Sequence, residues 1–166
     1  MKTLFFFSVF LFFTLTSCKQ NVTTEQIISL EQKIDSLQKI LDQTYKPGFG
    51  SMMNKLQMYH SKLWFSGINR NWKLAAFEIN ELKEVMENIE KYAGDRDEAR
   101  YMYMLKPVVE RVEQSIEEKD ELRFRKSFNH LTKTCNKCHV ITHFEYNKVK
   151  IPEKPCFDNQ DFSVSR

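Results

Sequence analysis

Asp120-Glu121-Leu122-Arg123-Phe124-Arg125-Lys126-Ser127-Phe128-Asn129-His130-Leu131-Thr132-Lys133-Thr134-Cys135-Asn136-Lys137-Cys138-His139 brings Phe124, Phe128, Leu131, Cys135 and Cys138 round in alternating steps of four and three. That is the period of one helix face. The stretch predicts a long amphipathic helix starting near Asp120, with Leu122 among its apolar members and two cysteines and a histidine at its far end. Arg123, Arg125, Lys126, Lys133 and Lys137 give the same helix a basic side.

The neighbouring sequence reads the same way. Pro107 suits the first turn of a helix running to about Glu118, with Val108, Val109, Val112 and Ile116 on its apolar face. Ala93-Gly94-Asp95-Arg96 breaks the chain before a short helical connection from Asp97 to Met104. Asn71 is placed to cap a helix whose buried candidates are Leu74, Phe77, Val85, Met86 and Ile89. Ser51 is placed to cap another, with Met53, Leu56, His60, Leu63, Trp64 and Gly67 on one face. The fold class expected is all-α: an antiparallel four-helix bundle over residues 47–143, with the Cys-x-x-Cys-His run on its last helix. Pro152 and Pro155 argue for an extended tail over 144–166. A chain of 166 residues with 42% apolar residues and four glycines has room for one such core.

Upstream, Ile27, Leu30, Ile34, Leu37 and Leu41 form a heptad seam from Thr24 to Gln43. Isoleucine and leucine at alternate seam positions suit a parallel two-stranded coiled coil, so a second copy of the chain is a candidate partner. Barely more than two heptads are marginal alone, and the plainer reading of the segment is a helical spacer. Tyr45-Lys46-Pro47-Gly48-Phe49-Gly50 ends it and marks a boundary.

Lys2 followed by the apolar run Leu4 to Leu15 is shorter than the ~20 residues that span a bilayer and reads as an export signal over residues 1–17. Leu15-Thr16-Ser17-Cys18 resembles the lipobox of bacterial lipoproteins, which implies a diacylglyceryl anchor on Cys18 and a spacer over 18–46. The location expected is the cell envelope, facing the periplasm. Lys19, Gln20 and Asn21, with no aspartate beside Cys18, favour the outer membrane over the inner. The formal charge of +3 includes Lys2, and no lysine-rich block has the length of a nucleic-acid footprint, so nucleic acid is not an expected partner.

Cys135-Asn136-Lys137-Cys138-His139 is a CxxCH run, the attachment signature of c-type haem. Spacings of three and four on a helix let both sulfurs add to the haem vinyl groups while His139 reaches the iron. Three other readings compete, the weakest a structural disulfide, since cysteines three apart on a helix are poorly placed to bond. A redox CxxC would need a βαβ setting that the sequence lacks. Zinc could draw on Cys135, Cys138, His139 or His143, and Cys156. No carboxylate pair, nucleophile-base set or phosphate loop stands at a convincing spacing, and no enzymatic activity is expected.

A terminal CxxCH on a helical bundle resembles the class II cytochromes c, the cytochrome c-prime family. The run Gln57-Met58-Tyr59-His60-Ser61-Lys62-Leu63-Trp64-Phe65, with Asn71-Trp72 and Glu78-Ile79-Asn80-Glu81-Leu82-Lys83, is similar to a group of uncharacterised bacterial proteins with the same ending. This resemblance covers Pro47 to Phe162. It implies one covalent haem c on Cys135 and Cys138, His139 as an axial iron ligand, and a sixth ligand from the first bundle helix. Met53 is the first candidate for that ligand, with His60 and Met58 as alternatives. Relatives carry a basic residue four positions after the haem histidine, where this chain has His143, and Cys156 has no role in the scheme. The function implied is electron transfer to a periplasmic or membrane redox protein. The alternatives are binding of nitric oxide or carbon monoxide, and a haem-free lipoprotein that is structural or zinc-bound.

Overall fold

The computed structural model describes residues 23–44 and 47–164, which are helical or irregular throughout. The signal segment and Cys18 lie outside the described residues. Among the described residues there are five α-helices and a 3-10 helix: α1 (Thr24–Thr44), α2 (Phe49–Ile68), α3 (Trp72–Ala93), the 3-10 helix (Glu98–Met104), α4 (Lys106–Glu117) and α5 (Glu121–Ile141). None of these helices is long and apolar enough to cross a membrane. The chain forms two compact units that divide after residue 45.

The first unit contains α1. Its seam residues Ile27, Leu30, Ile34, Leu37 and Leu41 are all exposed.

In the second unit, α2 packs on α3 and α5, and α4 packs on α3 and α5. The 3-10 helix touches α3, α4 and α5, so the four longer helices and this short one enclose a single core. Local chemistry sets the ends. Asn71 accepts from Leu74 N at 3.3 Å and starts α3, while Asp120 accepts from Arg123 N at 3.0 Å and starts α5. Pro107 sits in the first turn of α4, where its missing N–H costs no hydrogen bond. α2 begins earlier than Ser51, at Phe49, with Gly48 as a cap that offers no side chain.

Two expectations about the core are corrected. Phe77 is exposed, and Glu78 is fully buried in its place. The cause is phase: Ile89, Met86, Leu82, Ile79 and Ala75 step by three and four, and position 78 falls on that face while 77 falls beside it. Leu122 is exposed as well, one residue outside the face of Phe124, Phe128 and Leu131.

A cluster of aromatic residues packs at one end of this unit. Trp64 stacks on Phe124 at 6.2 Å and lies 4.9 Å from Phe128, Trp72 meets Phe124 edge-on, and Phe65 packs on Phe162 of the tail. Gly67 makes this possible. A Cβ there would stand 2.1 Å from Cζ of Phe124, so only glycine lets α2 come this close to α5. After α5 the tail has no regular structure, yet it is fastened. Ile151 packs on the core, and Asn71 Nδ2 donates to Ser163 O at 2.8 Å.

Candidate functional site

At the other end the same helices leave a cavity of about 290 Å³. This is near the small end of the range for ligand pockets, roughly 300–1,000 Å³. Met53, Leu56 and His60 of α2, Leu82 of α3, and Met102 of the 3-10 helix line it on one side. Leu131, Cys135, Cys138 and His139 of α5 line it on the other, and Phe144, Asn147 and Val149 of the tail close one flank. The residues that the sequence singled out for covalent attachment and ligation therefore share one largely apolar space with two of the three sixth-ligand candidates. Met58 does not line it. Its carbonyl lies 3.9 Å from Cys156 Sγ, an exposed thiol.

Helix periodicity explains the cysteine placement. Cys135 continues the buried row Phe124, Phe128, Leu131, and Cys138 and His139 follow it by three and four residues. Both thiols are free. Burial pushes the Cys135 thiol up to about 12, with the neighbouring Cys138 adding to the effect, and burial raises Cys138 too. Both therefore stay protonated at neutral pH, which disfavours a thiolate role in disulfide exchange. Among the described residues no three His, Cys, Asp or Glu side chains converge to hold a metal ion, and Cys156 does not line the cavity. Zinc would need such a set.

His139 is oriented by the tail. Its Nδ1 lies 2.6 Å from the carbonyl oxygen of Asn147. A carbonyl can only accept, so Nδ1 carries the proton and Nε2 keeps its lone pair, the arrangement of a histidine ready to ligate a metal. His60 is tied differently. Its Nε2 lies 2.8 Å from Thr132 Oγ1, whose own proton goes to Phe128 O at 3.0 Å. Thr132 must then accept, so His60 donates through Nε2 and is neutral. Burial lowers its pKa to about 4, and its ring packs 4.4 Å from that of Phe128.

The donor set fits haem c: two thiols and an imidazole with a free Nε2, all facing an apolar space that needs no further protein ligand. Met102 was missed by the sequence reading, because a 3-10 segment carries no periodicity to mark its inward residue. Asn147 and Val149 were missed because the tail has no pattern at all. His143 ends α5 in a left-handed conformation (φ 63°) and is exposed, as a residue just past a helix end often is. His130 is exposed too.

In comparison with known proteins, no family model, no curated protein and no solved structure matches this chain.

Proposed function

We propose that the chain is a lipid-anchored monohaem c-type cytochrome of the bacterial cell envelope, facing the periplasm, and that it transfers electrons without a substrate of its own. The observation that carries this reading is the convergence of Cys135, Cys138 and His139 on one apolar cavity, with the Nδ1 proton of His139 already committed to Asn147 O. In this reading α2 to α5 form an antiparallel four-helix bundle of the class II cytochrome kind, with the CxxCH on its last helix and α1 as the spacer before it. The contacts of α2 with α3 and α5, and of α4 with the same two helices, support that arrangement.

Haem, when bound, supplies a one-electron iron couple. Cys135 and Cys138 hold it through thioether bonds and His139 Nε2 ligates its iron, while Leu56, Leu82, Met102 and Leu131 keep water from it. Met53 and His60 both line the cavity as sixth-ligand candidates; Met53 offers its thioether, and His60, whose Nε2 donates to Thr132, has the lone pair of Nδ1. A second reading is binding of nitric oxide or carbon monoxide: if neither Met53 nor His60 takes the iron, the sixth position is open.

Anchoring through Cys18, in the outer membrane in preference to the inner, rests on Leu15-Thr16-Ser17-Cys18 and the residues that follow. A redox partner with an acidic face fits α5. Arg123 is paired with Glu118, and Arg125 with Glu121, which leaves Lys126, Lys133 and Lys137 as exposed positive charge. The exposed seam of α1 fits a second copy in parallel, and sedimentation of the chain with Leu30 and Leu37 both changed to Ser tests that pairing against the unaltered chain.

The central test is the visible spectrum of the full chain exported in a host with c-type haem maturation. Pigment that survives denaturation, and is lost when Cys135 and Cys138 are both changed to Ala, is the expected result. Absence of covalent pigment from the unaltered chain would overturn the proposal. A reduced spectrum indifferent to carbon monoxide supports electron transfer, and one shifted by it supports the gas-binding reading.

A further inference from the structure

Asn136, like Lys137, belongs to the CxxCH run but does not line the cavity. Its amide faces the tail. After α5 the chain turns at His143, with Phe144 N donating to His139 O at 2.7 Å, and turns again as Asn147 N donates to Phe144 O at 2.8 Å. The segment 147–149 is thereby carried back along the last turns of α5. There Asn136 Nδ2 donates to Val149 O at 2.7 Å and Val149 N donates to Asn136 Oδ1 at 2.8 Å. One side chain satisfies both backbone groups of Val149, as a neighbouring β-strand would. A further bond from Asn136 Nδ2 to Thr132 O at 3.1 Å fixes the amide on its own helix.

We infer that Asn136 is a positioning residue of the site: by clamping Val149 it holds the Asn147 carbonyl against His139 Nδ1, and so sets the tautomer and ring orientation of His139. The two turns return the segment to α5, and beyond them its fastening falls to side chains. Among the described residues the only side-chain hydrogen bonds that tie 144–149 to α5 are those of Asn136 and His139. The imidazole cannot place its own acceptor, so the clamp falls to Asn136. An amide is needed, because Val149 presents one donor and one acceptor. Aspartate would keep a partner for Val149 N and set a carboxylate oxygen against Val149 O, while alanine offers neither group. Val149 and Phe144 also line the cavity, so the clamp shapes its flank as well.

The tautomer is a property of the chain itself. Its consequence for iron rests on the proposed function: a ligating histidine that gives its other N–H to a carbonyl is a stronger base and favours the oxidised metal. Long-range proton–nitrogen NMR of the full chain without haem reads the His139 ring directly. The unaltered chain and Asn147→Ala, which keeps the backbone carbonyl, should both give a single Nδ1-protonated form. Asn136→Ala and Asn136→Asp should give a mixture of tautomers at unchanged helix content by circular dichroism. A single Nδ1-protonated form in both Asn136 variants would overturn the inference, as would a mixture in the unaltered chain. On the haem-loaded chain, Asn136→Ala should raise the midpoint potential and Asn147→Ala should leave it in place. Were no haem to attach at all, the proposed function would fail and the ring measurement would still decide the role of Asn136.

Discussion

The two ends of the second unit are built from the same helices and differ in how the space between them is filled. At the Gly67 end, the rings of Trp64, Phe124, Phe128 and Trp72 pack against one another. At the Met53 end, flexible methionines and leucines surround a cavity, and the groups with chemistry point into it. His60 and Thr132 stand at the seam, the histidine touching Phe128 on one side and the cavity on the other. Rigid rings fix the helices at one end, so that adaptable side chains can leave room at the other.

The largest expected effect is on the closed end. Phe124→Ala should cost about 4 kcal/mol in urea unfolding, because a fully buried ring is lost and its neighbours cannot collapse into the space. Met53→Ala, at a half-buried position beside an existing cavity, should cost less than about 2 kcal/mol. Equal costs would erase the distinction between the ends. Gly67→Ala comes next, at about 3 kcal/mol, since the new methyl must displace the Phe124 ring.

At the seam, Thr132→Val should cost about 2 kcal/mol by leaving the His60 Nε2 proton without an acceptor. His60 also gives the protein an acid limb. Its folded pKa of about 4 lies below the ordinary 6.5, so its contribution is whole above 6.5 and is lost as pH falls from there toward 4. Unfolding midpoints between pH 7 and 4 should fall for the parent and flatten in His60→Gln; parallel curves would mean that His60 is not buried neutral.

The smallest effect belongs to Glu78. It is fully buried, with the ammonium Nζ of Lys62 3.2 Å from Oε1. Burial raises its pKa above 4.5, and the Lys62 ammonium and a hydrogen bond from Gln160 oppose the rise. A raised folded value means that the favourable contribution is whole below 4.5 and is lost as pH climbs through the folded value. Glu78→Gln should therefore change stability at pH 7 by no more than about 1 kcal/mol and remove part of the slope above pH 4.5. A loss above about 2 kcal/mol would show that the ion pair with Lys62 outweighs the burial.

Helical content was legible throughout, because Phe124, Phe128, Leu131 and Cys135 keep one period for three turns and Asn71 and Asp120 cap as their side chains dictate. Phase outranks hydrophobicity in deciding burial on α3: Glu78 lies on the face that runs from Ile89 back to Ala75, and Phe77 lies beside it. The cysteines and His139 were legible as a group, since their spacing alone puts them together. The shape of the site was not. Met102 enters from a segment with no period, and Asn147 enters through a backbone carbonyl that any residue type would carry. Asn136 stood in plain view inside the motif, but its partner lies 13 residues on, in a tail whose path no local pattern records.

Gly67 and Met53 lie on one helix, about 20 Å of axis apart. α2 is thus a lever whose fulcrum is the contact of Gly67 with Phe124. The hydrogen atom that serves as the side chain of Gly67 lets α2 close on α5 at one end, while at the other Met53 and His139 line one cavity.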